Sequence, residues 1–306
     1  MPLHRRAYQG DRDQGRMIAL ARASAADNLH VADLPYRLSS WALDDPANAC
    51  LWETETGELM AWAVLQAPFW ALDEVMHPAA PAGTHAAILA WADERARDAL
   101  GTRFGRPAWF VNVFDWQQER RDVLEAHGWA SQAGVGEDSW SKVLLRLERD
   151  VAAPAAPPSG FEVRPWRGPD EVDAYVALQR AVFGTENMTV GWRQWILRQP
   201  GYRPELDLVA VDEGGALAGF CICWFAPQGV GGRPSGQIEP LGVREDARRH
   251  GLARALAGEG LWRLRQLGAE TIVVETDDYR DDAYRFYAAL GFRAMHNVLV
   301  YRKDYT

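Results

Sequence analysis

Apolar positions along the chain fall into two stretches that repeat one another. From His4, "HRRAYQGDRDQGRMIALARAS" passes from a short strand-like run through a Gly/Asp turn into apolar residues at helical spacing, and "FEVRPWRGPDEVDAYVALQRAV" from Phe161 does the same. Arg6, Tyr8 and Gly10 are matched by Arg164, Trp166 and Gly168. In each half two apolar runs then flank an acidic Gly turn, "CLWETETGELMAWAVLQAP" and "LDLVAVDEGGALAGFCICWFAP", and both predict hairpins. A strand, a helix, a strand, a helix and a final strand follow. In the first half these are "LDEVMH", "THAAILAWADERARDAL", "AWFVNVF", "QQERRDVLEAHGW" and "WSKVLLRL". In the second they are "GQIEPLGV", "GLARALAGEGLWRLRQL", "TIVVET", "DDAYRFYAALGF" and "NVLVYRK".

Between the halves, "VAAPAAPPSG" carries no charge and no aromatic ring, and its prolines block both helix and internal sheet pairing. The expected organisation is therefore a long-period duplication: a domain over 1–150, an Ala/Pro linker over 151–160 and a second domain over 161–306. The fold class is α/β, with a mixed sheet in each half.

Composition narrows the picture. The chain has 306 residues, 48% of them hydrophobic and 25% charged, which is the make-up of a soluble globular protein with room for two domains. Its formal net charge of −9 argues against nucleic acid as the main partner and is compatible with an amine substrate. The start lacks the apolar core of a signal peptide, and no run approaches the roughly 20 apolar residues that span a bilayer. A cytoplasmic protein with no membrane partner is expected. Cys221 and Cys223 alternate along one strand, a spacing that rarely bridges, and read with Cys50 as reduced core thiols. The tryptophans fall in separate elements and read as scattered core and surface aromatics. His77 and His85 have no neighbouring liganding cluster, so no metal is expected.

Against that acidic background "VREDARRHGLARAL", Val243 to Leu256, places Arg248, Arg249, His250 and Arg254 around the start of one helix. The strand before it, "QIEPLGV", contains Pro240, which cannot donate to a ladder and fits a bulge or a separation of neighbouring strands. Simple alternation puts Glu239 on one strand face with Leu241 and Val243. The first N–H groups of the helix have no internal partner and form an anion-binding end, which Gly251 and Ala253 keep low enough for a pyrophosphate.

Strand, Arg248-x-x-Gly251-x-Ala253 and amphipathic helix together resemble the acyl-CoA-binding signature of the GCN5-related N-acetyltransferase (GNAT) superfamily. "VVETDDYRDDAYRFYAALGF", Val273 to Phe292, looks like that family's following strand, loop and helix ending in Tyr-x-x-x-Gly-Phe. The resemblance covers the whole second half in motif and the first half in architecture, and implies two tandem acyl-CoA N-acyltransferase folds. It implies acetyl-CoA as cosubstrate and a primary amine of small-molecule or peptide origin as acceptor, joined by direct attack in a ternary complex. The backbone of Leu241, Gly242 and Val243 would hold the pantetheine and polarise the thioester. The N–H groups of Arg249, His250, Gly251, Leu252, Ala253 and Arg254 would cradle the pyrophosphate, with Arg248 complementing its charge. Tyr287 occupies the position of the family's usual acid. The base is either Glu239, beside the thioester, or Glu275, where some members carry a water-mediated base.

Arg280 stands where many members have a cofactor-contacting asparagine; it reaches a cofactor phosphate, a substrate carboxylate or only solvent. In the first half Pro78 and Pro81 remove donors from the corresponding turn, no arginine replaces them, and Leu124 stands in the tyrosine's place, so residues 1–150 read as a degenerate, non-catalytic copy. Two other readings accompany the acetyltransferase. One is a non-catalytic CoA-binding or scaffold protein. The other rests on the shared plan of the two-domain synthases of the mycothiol pathway, whose acceptor is an amino sugar derivative.

Overall fold

The computed structural model describes residues 3–133, 141–229, 232–277 and 281–305. The first half runs β1 (His4–Ala7), α1 (Asp11–Ala23), a single turn α2 (Leu34–Arg37), β2 (Ala49–Glu53), β3 (Leu59–Gln66), β4 (Ala71–Met76), α3 (Thr84–Ala99), β5 (Ala108–Phe114), α4 (Gln118–Ala126), β6 (Ala130–Ser131) and β7 (Ser141–Leu147). The second runs β8 (Phe161–Pro165), α5 (Val172–Phe183), α6 (Val190–Arg198), β9 (Asp207–Asp212), β10 (Leu217–Ala226), β11 (Ser235–Val243), α7 (Leu252–Gln266), β12 (Thr271–Asp277), α8 (Asp281–Ala289) and β13 (Arg293–Asp304). Among the described residues no helix is long and apolar enough to cross a membrane.

The matched openings of the halves are matched in space. Arg6 binds Asp13 and Arg164 binds Glu171, each clamping its first strand to the residues that begin the following helix, seven positions on. Gly10 (φ 82°) and Gly168 (φ 130°) make the turns between, in a region of backbone space that a side chain disfavours.

All thirteen described strands join one sheet in the order β1-β2-β3-β4-β5-β13-β7-β12-β11-β10-β9-β8, with β6 paired to β13. Among the described residues, the last strand of each half is bonded only to strands of the other half. β7 lies antiparallel between β12 and β13, with Glu275 opposite Leu144, and β13 lies antiparallel between β5 and β7, with Tyr301 opposite Val111. Packing follows the ladder. Tyr301 and Tyr305 are buried with Ile88, Leu89 and Trp109 of the first half, whereas Val143, Leu145 and Leu147 are buried with Leu256, Leu264 and Ile272 of the second. The Tyr305 hydroxyl and Lys303 Nζ both donate to Asp93, at 2.5 and 2.6 Å.

An isolated second half, 161–306, therefore loses the strand that joins β12 to β13 and three apolar side chains from its core. It is expected to elute as aggregate or to bind a dye for exposed apolar surface, while the full chain cut inside 151–160 stays one particle in gel filtration. Co-elution of a well-folded isolated half at its monomer volume would contradict this.

A second contact locks the halves. Tyr36 of α2 is buried among Trp192, Trp224 and Phe220; Trp192 Nε1 donates to the Tyr36 carbonyl at 3.0 Å and Gln179 Nε2 to its hydroxyl at 3.0 Å. Beneath it, Arg193 and Asp207 form a fully buried pair at 2.5 Å, with the guanidinium 3.8 Å from the Tyr175 ring centroid and the Tyr202 hydroxyl donating to the same carboxylate at 2.8 Å. Arg193→Met would strand that carboxylate and should cost about 3–5 kcal/mol in urea unfolding. A loss below about 1 kcal/mol would mean that Asp207 is neutral and needs no cation.

Candidate active site

The site begins where β11 stops behaving as an ordinary strand. Cys221 faces Leu241 and Cys223 faces Ile238, so Ile222 opposes both Glu239 and Pro240 and the proline sits in a bulge. On its other edge β11 pairs with β12 in parallel only as far as Gln237 opposite Val273, and beyond it residues 238–243 and 274–277 diverge. The gap between them is lined by backbone that the ladder no longer uses. The bulge also shifts the alternation. Ile238 and Leu241 pack into one core, so Glu239 does not share the face of Leu241 and Val243 that simple alternation predicts. It is half-buried, within the field of charges from the first half.

Gly242 owes its identity to packing, since a Cβ there would come within 2.5 Å of Phe220 and 2.6 Å of Val182. The chain then turns through Arg244–Arg248 and enters α7 by way of Arg249 (φ 64°) and Gly251 (φ 88°), both in the left-handed region. No side chain caps α7, and Arg248, Arg249, His250, Gly251 and Arg254 are exposed. The result is an open, uncapped helix start ringed by cations, reached from the gap along Leu241, Gly242 and Val243. Leu252 and Ala253 are the first residues of the same helix, the one buried and the other half-buried.

Tyr287 of α8 is nearly buried, edge-on to Phe286 (5.0 Å between centroids) and Phe292 (5.6 Å). Burial holds its phenol well above the ordinary value, and the thiols of Cys221 and Cys223 and the carboxyl of Glu239 add to the shift, which places the ring in the same local field as the strand bulge. Cys221 and Cys223 are free and buried with their sulfurs 3.8 Å apart, and the Cys221 thiol is pushed well above its usual value by its hydrogen bond with Cys223 and by burial. A thiol raised in this way is not that of a nucleophilic cysteine, whose pKa is lowered. Arg280 lies outside the described residues.

The two candidate carboxylates are unlike each other. Glu275 accepts from Lys142 Nζ at 2.6 Å and lies 3.7 Å from His30 Nε2; burial would raise its pKa, but Lys142 and His30 outweigh it and hold the acid at about 2. Glu239 is pushed up to about 8, by burial first and then by Asp33 and Glu275, with His30 and Arg37 opposing. Its backbone carbonyl accepts from Trp224 Nε1 at 2.7 Å. His30 Nδ1 lies 2.9 Å from Asp33, and Arg37 makes a two-pronged bond to Asp73 at 2.6 and 2.8 Å.

Four of these charged groups, His30, Asp33, Arg37 and Lys142, belong to the first half and are not found by motif reasoning. For the first three the only signal is compositional: charged residues in "HVADLPYR", within an otherwise apolar buried segment. Beside them a cleft of about 510 Å³ opens between the halves, lined by Arg37, Phe69, Trp70, Phe110, Lys142 and Arg302 among others. His77 and His85 are held by local partners, and no group of three metal-ligating side chains occurs among the described residues.

Residues 169–292 match the model of a family described as "Acetyltransferase (GNAT) family". A mycothiol acetyltransferase from Propionibacterium freudenreichii subsp. shermanii is 28% identical over 281 residues, 89% of this chain and 88% of that protein. Other mycothiol acetyltransferases align over about half of their own length. Among solved structures, a tandem GNAT protein from the clavulanic acid biosynthesis pathway superposes with a TM-score of 0.68 at 17% identity, over 99% of this chain and 98% of that one. A GCN5-related N-acetyltransferase from Sphaerobacter thermophilus does so with a TM-score of 0.64 at 21% identity, over 99% and 95%.

Proposed function

We infer, for a chain that belongs to the GCN5-related N-acetyltransferase superfamily as a tandem two-domain member, that it moves an acetyl group from acetyl-CoA to a primary amine at a single centre in its second half. The observation that carries this reading is the conjunction of an uncapped, cation-ringed start of α7 with a strand gap that leads from it to Glu239 and Tyr287.

Acetyl-CoA supplies the acetyl group as a thioester. The N–H groups at the start of α7 and the exposed arginines suit its pyrophosphate, and the edge of Leu241, Gly242 and Val243 that faces away from β10, where pairing with β12 has ended, suits its amide arm and the thioester oxygen. Glu239 takes a proton from the acceptor's ammonium, leaving a free amine to attack the acetyl carbon. Tyr287, neutral because its pKa is raised, gives a proton to the thiolate as the C–S bond breaks, and the proton that the nitrogen sheds as the amide forms restores the phenol. Glu275 is the weaker base: an acid held at about 2 and tied to Lys142 has little affinity for a proton. The first half shapes the acceptor side, because Arg37 and Lys142 belong both to the charge cluster and to the cleft between the halves. The acceptor then enters through that cleft and meets the thioester from the side opposite α7.

A narrower reading, acetylation in mycothiol synthesis with an amino sugar derivative as acceptor, is favoured by the near full-length alignment to a relative of that name. A thiol-release assay with acetyl-CoA across primary amines, amino-sugar conjugates included, tests both. Release with a simple amine but not with the conjugates would set the narrower reading aside. Tight acetyl-CoA binding with no release from any amine would favour a scaffold.

A further inference from the structure

The first half keeps the backbone geometry of the cofactor site but not its side chains. Val75 leads to Gly83 with the spacing by which Val243 leads to Gly251, and Gly83 (φ 86°) begins α3 in the left-handed region with no side-chain cap, as Gly251 (φ 88°) begins α7. Helices α4 and α8 are nine residues each, and Trp129 N donates to the Leu124 carbonyl at 3.0 Å as Phe292 N donates to that of Tyr287 at 3.1 Å. β4 and β5 pair only at Ala71 opposite Phe110, so these strands diverge as β11 and β12 do. The backbone therefore leaves a gap in both halves.

What differs is what stands in it. In this register Glu74, His85 and Arg120 take the positions of Gly242, Ala253 and Ala283. The three meet: Arg120 Nη2 lies 2.6 Å and His85 Nε2 2.9 Å from the same oxygen of Glu74. Glu74 and His85 are less than a tenth exposed. On one side lies an outer cleft of about 540 Å³ lined by Met76, Thr84, His85, Trp116, Arg120 and Val123 among others; on the other, an inner pocket of about 40 Å³ with Glu74, Asn112 and Arg120 in its wall. The triad is the partition between them. Glu74 stays ionised, since burial alone would raise its pKa but His85 and Arg120 hold it at about 2.

We propose that Glu74, His85 and Arg120 form a plug that closes the first half's strand gap to the thioester arm of acyl-CoA, so that one site per chain is left open. A thioester arm would have to part the triad, and neither its amides nor its carbonyls repay a buried carboxylate for the loss of the Arg120 guanidinium and the His85 ring beside it. The idea rests on the acyl-CoA reading of the second half, and its test separates the two.

Calorimetry and hydrogen exchange with acetyl-CoA on the full chain should give about one equivalent, with protection at 243–256 and none at 76–90. Protection at 76–90 in the unaltered protein overturns the plug without any variant being made. Absence of binding anywhere would remove the acyl-CoA reading and the plug with it. The triple variant Glu74→Gly, His85→Ala, Arg120→Ala, which copies the second half at these three positions, should take a second equivalent at raised acetyl-CoA concentration and gain protection at 76–90, with lower affinity than the second half because Pro78 and Pro81 remove donors there and no arginine faces the pyrophosphate. If it keeps a cooperative thermal transition yet still takes one equivalent, the triad is not what excludes the ligand.

Discussion

Glu239→Gln is expected to lower turnover by roughly 10² to 10⁴ and to abolish the acidic limb of the pH–rate profile. An amine acceptor arrives largely as its ammonium, and the glutamate that removes the proton acts as a carboxylate. Its acid form is stabilised by burial and by the negative fields of Asp33 and Glu275, which together push its pKa up to about 8. Turnover should therefore climb about tenfold per pH unit below that value and level off above it, provided chemistry limits the rate. Glutamine keeps the shape and the bulge but takes up no proton, so acetyl-CoA binding should be unchanged. His30→Ala provides the sign check. His30 lowers the Glu239 pKa, so its removal should move the limb to higher pH, whereas a merely structural change would scale the rate without moving it. A Gln variant that retains the limb would show that it reports the acceptor's own ammonium.

Tyr287→Phe should cost a similar factor of roughly 10² to 10⁴ in the acetyl-transfer step, by a different route. The leaving thiolate needs a proton, and the phenol is available as a donor throughout the working range because burial holds its pKa well above the ordinary value. Phenylalanine keeps the edge-on contacts with Phe286 and Phe292, so the melting temperature and the affinity for acetyl-CoA should hardly change. Activated thioesters with better leaving groups should recover most of the loss, since they need the proton less. Normal turnover with acetyl-CoA in a variant whose transfer step limits the rate would remove the hydroxyl from the mechanism.

The sequence makes some of this legible and hides the rest for physical reasons. Hairpins, helices and the start of α7 follow from side-chain period and from the acidic Gly turns, which act over a few residues. Tyr287 and Gly251 are singled out by motifs that resemble the acetyltransferase signature, each contained in a short stretch of chain. Pro240 signals its bulge correctly, yet the bulge overturns the alternation by which Glu239 is assigned a face. His30, Asp33, Arg37 and Lys142 reach the site only through contact between halves, and no local period encodes a partner so distant along the chain. The exchange of final strands is hidden for the same reason. β7 and β13 both present apolar residues between antiparallel neighbours, and either pairing satisfies that pattern equally.

That exchange fixes an order of events during synthesis. β5 is complete at Phe114, but the strand that covers its free edge is residues 293–304. At about 5–20 residues per second, the first half spends on the order of ten seconds or more on the ribosome with that edge unpaired. It cannot finish folding ahead of the second half as independent domains do. A pause in translation between residues 115 and 293 should therefore raise aggregation more than an equal pause before β5 has been made.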